Sequence, residues 1–126
     1  MDTRLYEFFK KISAQQKTYT IELFDLVYAG VISAQDLFAN VRHVGAKEVC
    51  ASIKELIYKK YGCMSRTVLE HYGAKDTMDF GKVIYLLIEG GMLASSPDDK
   101  LSDFEKTFDF LELEMIQLPK KLDLSL

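Results

Sequence analysis

The sequence predicts a mainly α fold: a compact helical domain of five to seven helices, with at most a small two-stranded β element near residues 92–113. Three observations predict it. Apolar residues recur three and four positions apart through most of the chain, the spacing that lines one face of a helix. Glycines and Ser, Thr or Asp residues stand at the ends of those stretches, most densely between Tyr61 and Leu93. A chain of 126 residues, 48% apolar and 12% aromatic, is long enough for one domain with its own core and needs no disulfide or metal to hold it.

The elements follow in chain order. Thr3 to Ser13 carries Leu5, Phe8, Phe9 and Ile12 on one face, which predicts a first helix. The polar link Ala14–Gln15–Gln16–Lys17 leads to Thr18 and Thr20, either of which can cap a second helix burying Ile21, Phe24, Val27 and Tyr28. Gly30 is either its stop or a weak point in a helix running on to Ile32. Ser33 then offers a cap for a short helix from Ala34 to Asn40, with Leu37 and Phe38 facing in. Residues 41–44 read as extended, and Gly45 resets the chain.

Ala46 to Tyr61 is the clearest helix, with Val49, Ile53, Leu56 and Ile57 inside and Lys47, Glu48, Lys54, Glu55, Lys59 and Lys60 outside. Gly62 takes the position just past its end, where the left-handed backbone favours glycine. Ser65 is expected to cap a short helix burying Val68, Leu69 and Tyr72, which Gly73 ends. Thr77 is expected to open the next helix, with Asp79 in its first turn, where the helix dipole favours a carboxylate. Phe80, Val83, Ile84, Leu87 and Ile88 make that helix apolar over most of its circumference, so it belongs at the centre. Gly90–Gly91 ends it.

Met92–Ala94 reads as a brief strand before a turn at residues 96–99. Ser102 and Glu105 have the spacing of a capping box, with Phe104 and Phe108 on one face of the helix that follows. The alternation from Phe108 to Met115 favours an extended segment over a helix. Residues 1–116 thus make a single helical domain. Residues 117–126, with Pro119 and a Lys pair, are expected to trail along the surface or fray.

From Arg42 to Phe110 the order RHVGAKEV, YGCMSRTVLEHYG, TMDFGKVIYLLIEGGML, PDDKLSDF and FDF resembles a bacterial family of small single-domain proteins from planctomycete and verrucomicrobial lineages. Ser65–Leu69 and Thr77–Gly81 carry its most specific parts. That family has no assigned activity, so the resemblance implies a fold unit and no mechanism.

The residues themselves point away from catalysis. His43 and His71 are the only histidines, and neither has a second His, Cys or carboxylate at ligand spacing within its own helix, so no metal or other cofactor is expected. Cys63 and His71 are near in sequence, but a catalytic cysteine needs a base held within hydrogen-bond reach. Cys50 falls in the apolar set of its helix, and two cysteines make no disulfide framework. The glycine pairs match no phosphate-binding loop. The N-terminus has no secretory apolar run, and the longest apolar stretch, Val83–Ile88, is far short of a membrane span, so a cytoplasmic address is expected.

Two binding readings remain. The net charge of −3 divides into −1 over residues 1–41, +3 over 42–82 and −5 over 83–126. The three helices within residues 46–90, followed by Met92 and a turn at Pro97, resemble a winged helix-turn-helix in outline. Arg42, Lys47, Lys54, Arg66 and Lys82 would supply the cations that phosphate contacts need. Against this, the would-be recognition helix is largely apolar and the would-be wing acidic. The favoured expectation is therefore a protein partner or a second copy of the chain, met by the aromatic ends Phe8, Phe9, Phe104, Phe108 and Phe110.

Overall fold

The computed structural model describes residues 3–38, 44–94 and 101–116. Among them are six α-helices: α1 (Thr3–Gln15), α2 (Ile21–Phe38), α3 (Ala46–Tyr61), α4 (Ser65–His71), α5 (Thr77–Glu89) and α6 (Leu111–Ile116). Two 3-10 turns, Gly62–Met64 and Leu101–Phe104, complete the order. The fold is mainly α, and no strand occurs among the described residues.

α2 and α3 form the most extensive helix pair. α1 lies on α2, α5 packs against both α2 and α3, and the segment from Leu101 to α6 wraps over α5, α3 and α4. The core runs through all of them. Phe9, Leu23, Phe24, Val27, Ile53, Leu69, Phe80, Val83, Leu87 and Leu113 are each fully buried, and each such side chain contributes roughly 1.5–3 kcal/mol relative to exposure. Two aromatic groups anchor opposite ends. Phe9 stacks on Phe24 at 6.3 Å and meets Tyr28 edge-on at 5.9 Å, while Phe80, Phe108 and Phe110 lie 5.7–6.3 Å apart.

Several local expectations are corrected. The second helix does not stop at Gly30, and Ser33 caps nothing: α2 is continuous to Phe38. The reason is a close helix approach. A Cβ at Gly30 would stand 2.3 Å from Ile53 Cγ1, so the missing side chain is what lets α3 in. Ser65 is not a helix cap either. Its buried hydroxyl donates back to the carbonyls of Gly62 (2.7 Å) and Ile57 (3.1 Å), closing the end of α3.

α5 does open at Thr77, with Asp79 in its first turn, and its cap is Asp76, which accepts from the Met78 N–H at 3.0 Å. Thr77 turns inward, donating to the Phe104 carbonyl (2.5 Å) and accepting from the Thr107 N–H (3.2 Å). Met92–Ala94 is a bend, not a strand, so no wing is seen among the described residues. Leu101–Phe104 is a 3-10 turn in which Ser102 does not cap a helix. The capping pair lies further on. The Asp109 carboxylate accepts from the Leu111 N–H (2.9 Å) and the Glu112 carboxylate from the Asp109 N–H (3.1 Å), so the expected extended segment becomes α6 at Leu111. Residues 41–43, the turn at 96–99 and the tail 117–126 lie outside the described residues.

Gly73 ends α4 with φ of +103°, and a Cβ there would meet the Thr18 carbonyl oxygen at 2.0 Å. The turn after α4 thereby lies directly against the turn before α2, joined by the Thr20 N–H donating to the Tyr72 carbonyl at 3.1 Å.

Two predictions test this packing. Leu87→Asp places an unpaired carboxylate at a fully buried position, so it should abolish cooperative thermal unfolding; a folded, cooperative variant would put the wrong face inside. Gly30→Ala should lower the melting temperature, against the gain of up to about 1 kcal/mol that helix propensity alone predicts. Combined with Ile53→Ala, it should cost less than the sum of the two single losses, because the second change removes the atom the new Cβ strikes. Strict additivity would show that the contact does not set the spacing.

Candidate functional site

On α2 the spacing of Glu22, Asp25, Leu26 and Ala29 draws a second stripe beside the buried one. On α3 the residues Leu56, Ile57, Lys60 and Tyr61 do the same, and Tyr72 follows the end of α4. These nine side chains line one groove of about 220 Å³ between α2 and α3. Its floor is apolar, with Ile57 buried and Leu26 and Leu56 half-buried. Its polar end is set by the tyrosines, whose hydroxyl oxygens stand 3.3 Å apart.

The electrostatics of that end are asymmetric. Glu22 and Asp25 are exposed on the α2 rim. Burial pushes the Tyr72 phenol well above the usual range, and the hydrogen bond with Tyr61 and the charges of Glu22 and Asp25 push it the same way. The Tyr72 hydroxyl therefore keeps its proton at ordinary pH, and the pair of hydroxyls offers acceptor lone pairs and one proton not shared between them. The Lys60 ammonium sits over the Tyr61 ring, 5.5 Å from its centroid.

A second, wider cleft of about 680 Å³ lies between the start of α5 and residues 105–110. Two of its carboxylates are already committed, Asp76 to the cap of α5 and Asp109 to that of α6. The groove between α2 and α3 is lined by two carboxylates, one ammonium and two tyrosine hydroxyls and is the candidate site.

The structure does not bring the expected partner-binding phenylalanines to the surface. Phe9, Phe104, Phe108 and Phe110 are buried in the core. Phe8 is half-buried and crowds Gly90, where a Cβ would meet its ring at 1.9 Å. They close the domain rather than present a patch, because each end segment folds back onto α2 or α5. The apolar side chains that are exposed lie elsewhere, among them Ile32, Leu37, Met64 and Leu111.

The candidate nucleic-acid residues are spread over α3, α4 and α5. Lys54 forms an ion pair with Glu112 at 2.9 Å and covers the Phe108 ring at 5.1 Å. Arg66 pairs with Glu70 at 3.3 Å, and Lys82 lies 3.9 Å from Asp79. Lys47 is exposed on α3, and Arg42 is outside the described residues. Lys54, Arg66 and Lys82 thus each face a carboxylate of their own chain.

Cys50 is buried, and burial pushes its thiol up to about 11, against an opposing contact with Thr107, so it is not a ready nucleophile. Cys63 and His71 are exposed. Among the described residues no His, Cys, Asp and Glu side chains cluster as a metal site, and no helix is long and apolar enough to cross a membrane. No protein-family model matches the chain, and no curated protein or solved structure does either.

The Lys54–Glu112 pair carries a pH prediction. The hydrogen bond from Lys54, then that from the Asp109 N–H, holds the Glu112 carboxyl below its usual 4.5. A depressed carboxylate stabilises the fold in full above that value and loses the contribution as pH falls through the folded one. Glu112→Gln should therefore melt slightly below the parent at neutral pH, by about 0.2–1 kcal/mol for a half-exposed pair. Thermal melts at about pH 3 should show the gap closing; an unchanged gap would mean the charge is irrelevant.

Proposed function

We propose that this domain is a non-enzymatic protein-interaction module of the cytoplasm, and that it holds a segment of a protein partner, or of a second copy of itself, in the groove between α2 and α3. The observation that carries this reading is the groove's composition. An apolar floor of Leu26, Leu56 and Ile57 is flanked by the hydroxyls of Tyr61 and Tyr72 and the charges of Glu22, Asp25 and Lys60. Grooves of this form between two packed helices take the apolar ridge of a third, with the polar rim fixing its register. The walls are preformed, since α2 and α3 are locked by the Gly30–Ile53 approach, so little ordering cost opposes binding.

A photo-cross-linking residue in place of Ala29, exposed beside the groove, tests the reading in living cells. The expected outcome is a discrete adduct from position 29 that is missing from the same residue placed at the exposed Thr67 on α4. An adduct of twice the chain mass would identify the partner as a second copy. No adduct from position 29 in a protein that still melts cooperatively would overturn the proposal.

A further inference from the structure

Resting on that reading, we infer that the tyrosine end of the groove receives a cationic side chain, an arginine or lysine carried by an amphipathic helix of the protein partner. The argument is charge and hydrogen-bond complementarity. Four groups converge there: the carboxylates of Glu22 and Asp25, one helical turn apart on α2, and the hydroxyls of Tyr61 and Tyr72. Carboxylates only accept hydrogen bonds, and the two hydroxyls share one proton between themselves, so this end has a surplus of acceptors. Guanidinium and ammonium groups carry donors and no acceptor.

The aromatic wall supports the same sign. Lys60 already lays its ammonium over the Tyr61 ring, which shows a cation seated against this face. One ammonium against two carboxylates leaves the lining residues net negative. A partner's cation would take the acceptor-rich corner between Tyr72 and the α2 rim, while its apolar neighbours at i+3 and i+4 lie along Leu26 and Leu56. Lys60 is then a competitor for the incoming charge rather than a contact that helps it. That assignment fixes the direction of three substitutions in advance.

The probe is an alanine-rich helical peptide of about 15 residues, with leucines at i, i+3 and i+7 and one arginine at i+4. A second peptide carries glutamate in place of that arginine. Titration into the ¹⁵N-labelled full chain should shift the amide signals of Leu26, Ala29, Leu56, Tyr61 and Tyr72 with the arginine peptide, at about tenfold higher affinity than with the glutamate peptide, as one or two charge-assisted hydrogen bonds imply. Glu22→Gln combined with Asp25→Asn should weaken the arginine peptide about tenfold. Both positions are exposed, so the fold is expected to survive.

Lys60→Met should strengthen the arginine peptide and leave the glutamate peptide weaker still. Equal or preferred binding of the glutamate peptide would overturn the inference. So would weakened arginine-peptide binding in Lys60→Met, or an arginine peptide that leaves the groove signals unmoved. In each of those cases, a position-29 adduct in cells would leave the interaction reading standing and remove only the cation. Absence of both peptide shifts and adduct would remove the reading itself.

Discussion

The first turn of α5 is the constraint on which the rest of the structure depends. Within the four residues Asp76 to Asp79, three separate parts of the chain are tied together. The Asp79 carboxylate accepts the Tyr19 hydroxyl at 2.5 Å and the Lys75 N–H at 2.7 Å, fixing the α1–α2 turn and the α4–α5 turn to one group. Thr77 does the same for the C-terminal segment through Phe104 and Thr107. Tyr19 is held as a neutral donor, because burial and the Asp79 contact both push its phenol far above the usual range. Hydrogen bonds to a buried carboxylate are worth more than neutral pairs, and leaving that carboxylate unpaired would cost more than the bond gained.

That node explains why the two chain ends close the core instead of advertising it. With the α1–α2 turn fixed at Tyr19, α1 has to lie along α2, where Phe9 reaches Phe24 and Tyr28. With residues 104–107 fixed at Thr77, Phe108 and Phe110 fall onto Phe80, and Leu113 follows into full burial. Gly81 admits the Phe104 ring, since a Cβ there would stand 2.7 Å from it. Five phenylalanines clustered near the ends look like a surplus when the chain is read linearly. They are the inner surface of two segments that fold back.

What the sequence made legible and what it hid divide along a physical line. Helix existence, the full span of α3, the central place of α5 and the burial of Cys50 follow from local periodicity, and all are seen. The continuity of α2 was hidden, because Gly30 costs a helix about 1 kcal/mol locally and repays it only through Ile53, a residue far along the chain. Ser65 misled for a different reason: it has the residue type of a cap, but the carbonyls of Gly62 and Ile57 at the end of α3 claim its hydroxyl. The start of α6 was in plain view as Asp109-x-x-Glu112, and the period-two alternation of Phe108 and Phe110 masked it. The groove was half legible. The stripe Glu22, Asp25, Leu26, Ala29 is readable on α2, whereas the meeting of Tyr61 with Tyr72 depends on how α4 turns after Gly62–Met64.

The groove and the node are linked through the backbone of Tyr72. Its carbonyl accepts the Thr20 N–H, and the next residue, Gly73, lies against Thr18 with no room for a side chain. Thr20 immediately precedes α2, two residues before Glu22 and five before Asp25 on the rim. The hydroxyl wall and the acidic rim are therefore held at a fixed separation by main-chain contacts, independent of the side chains that line the groove. Acceptor groups arranged in this way before a ligand arrives do not have to be gathered by it, and preorganisation of that kind is what lets a shallow groove discriminate by charge. Rim carboxylates in water contribute more to specificity and association rate than to affinity. In the proposed binding mode most of the affinity comes from Leu26, Leu56 and Ile57, and the four groups above them set the sign of the partner's charge.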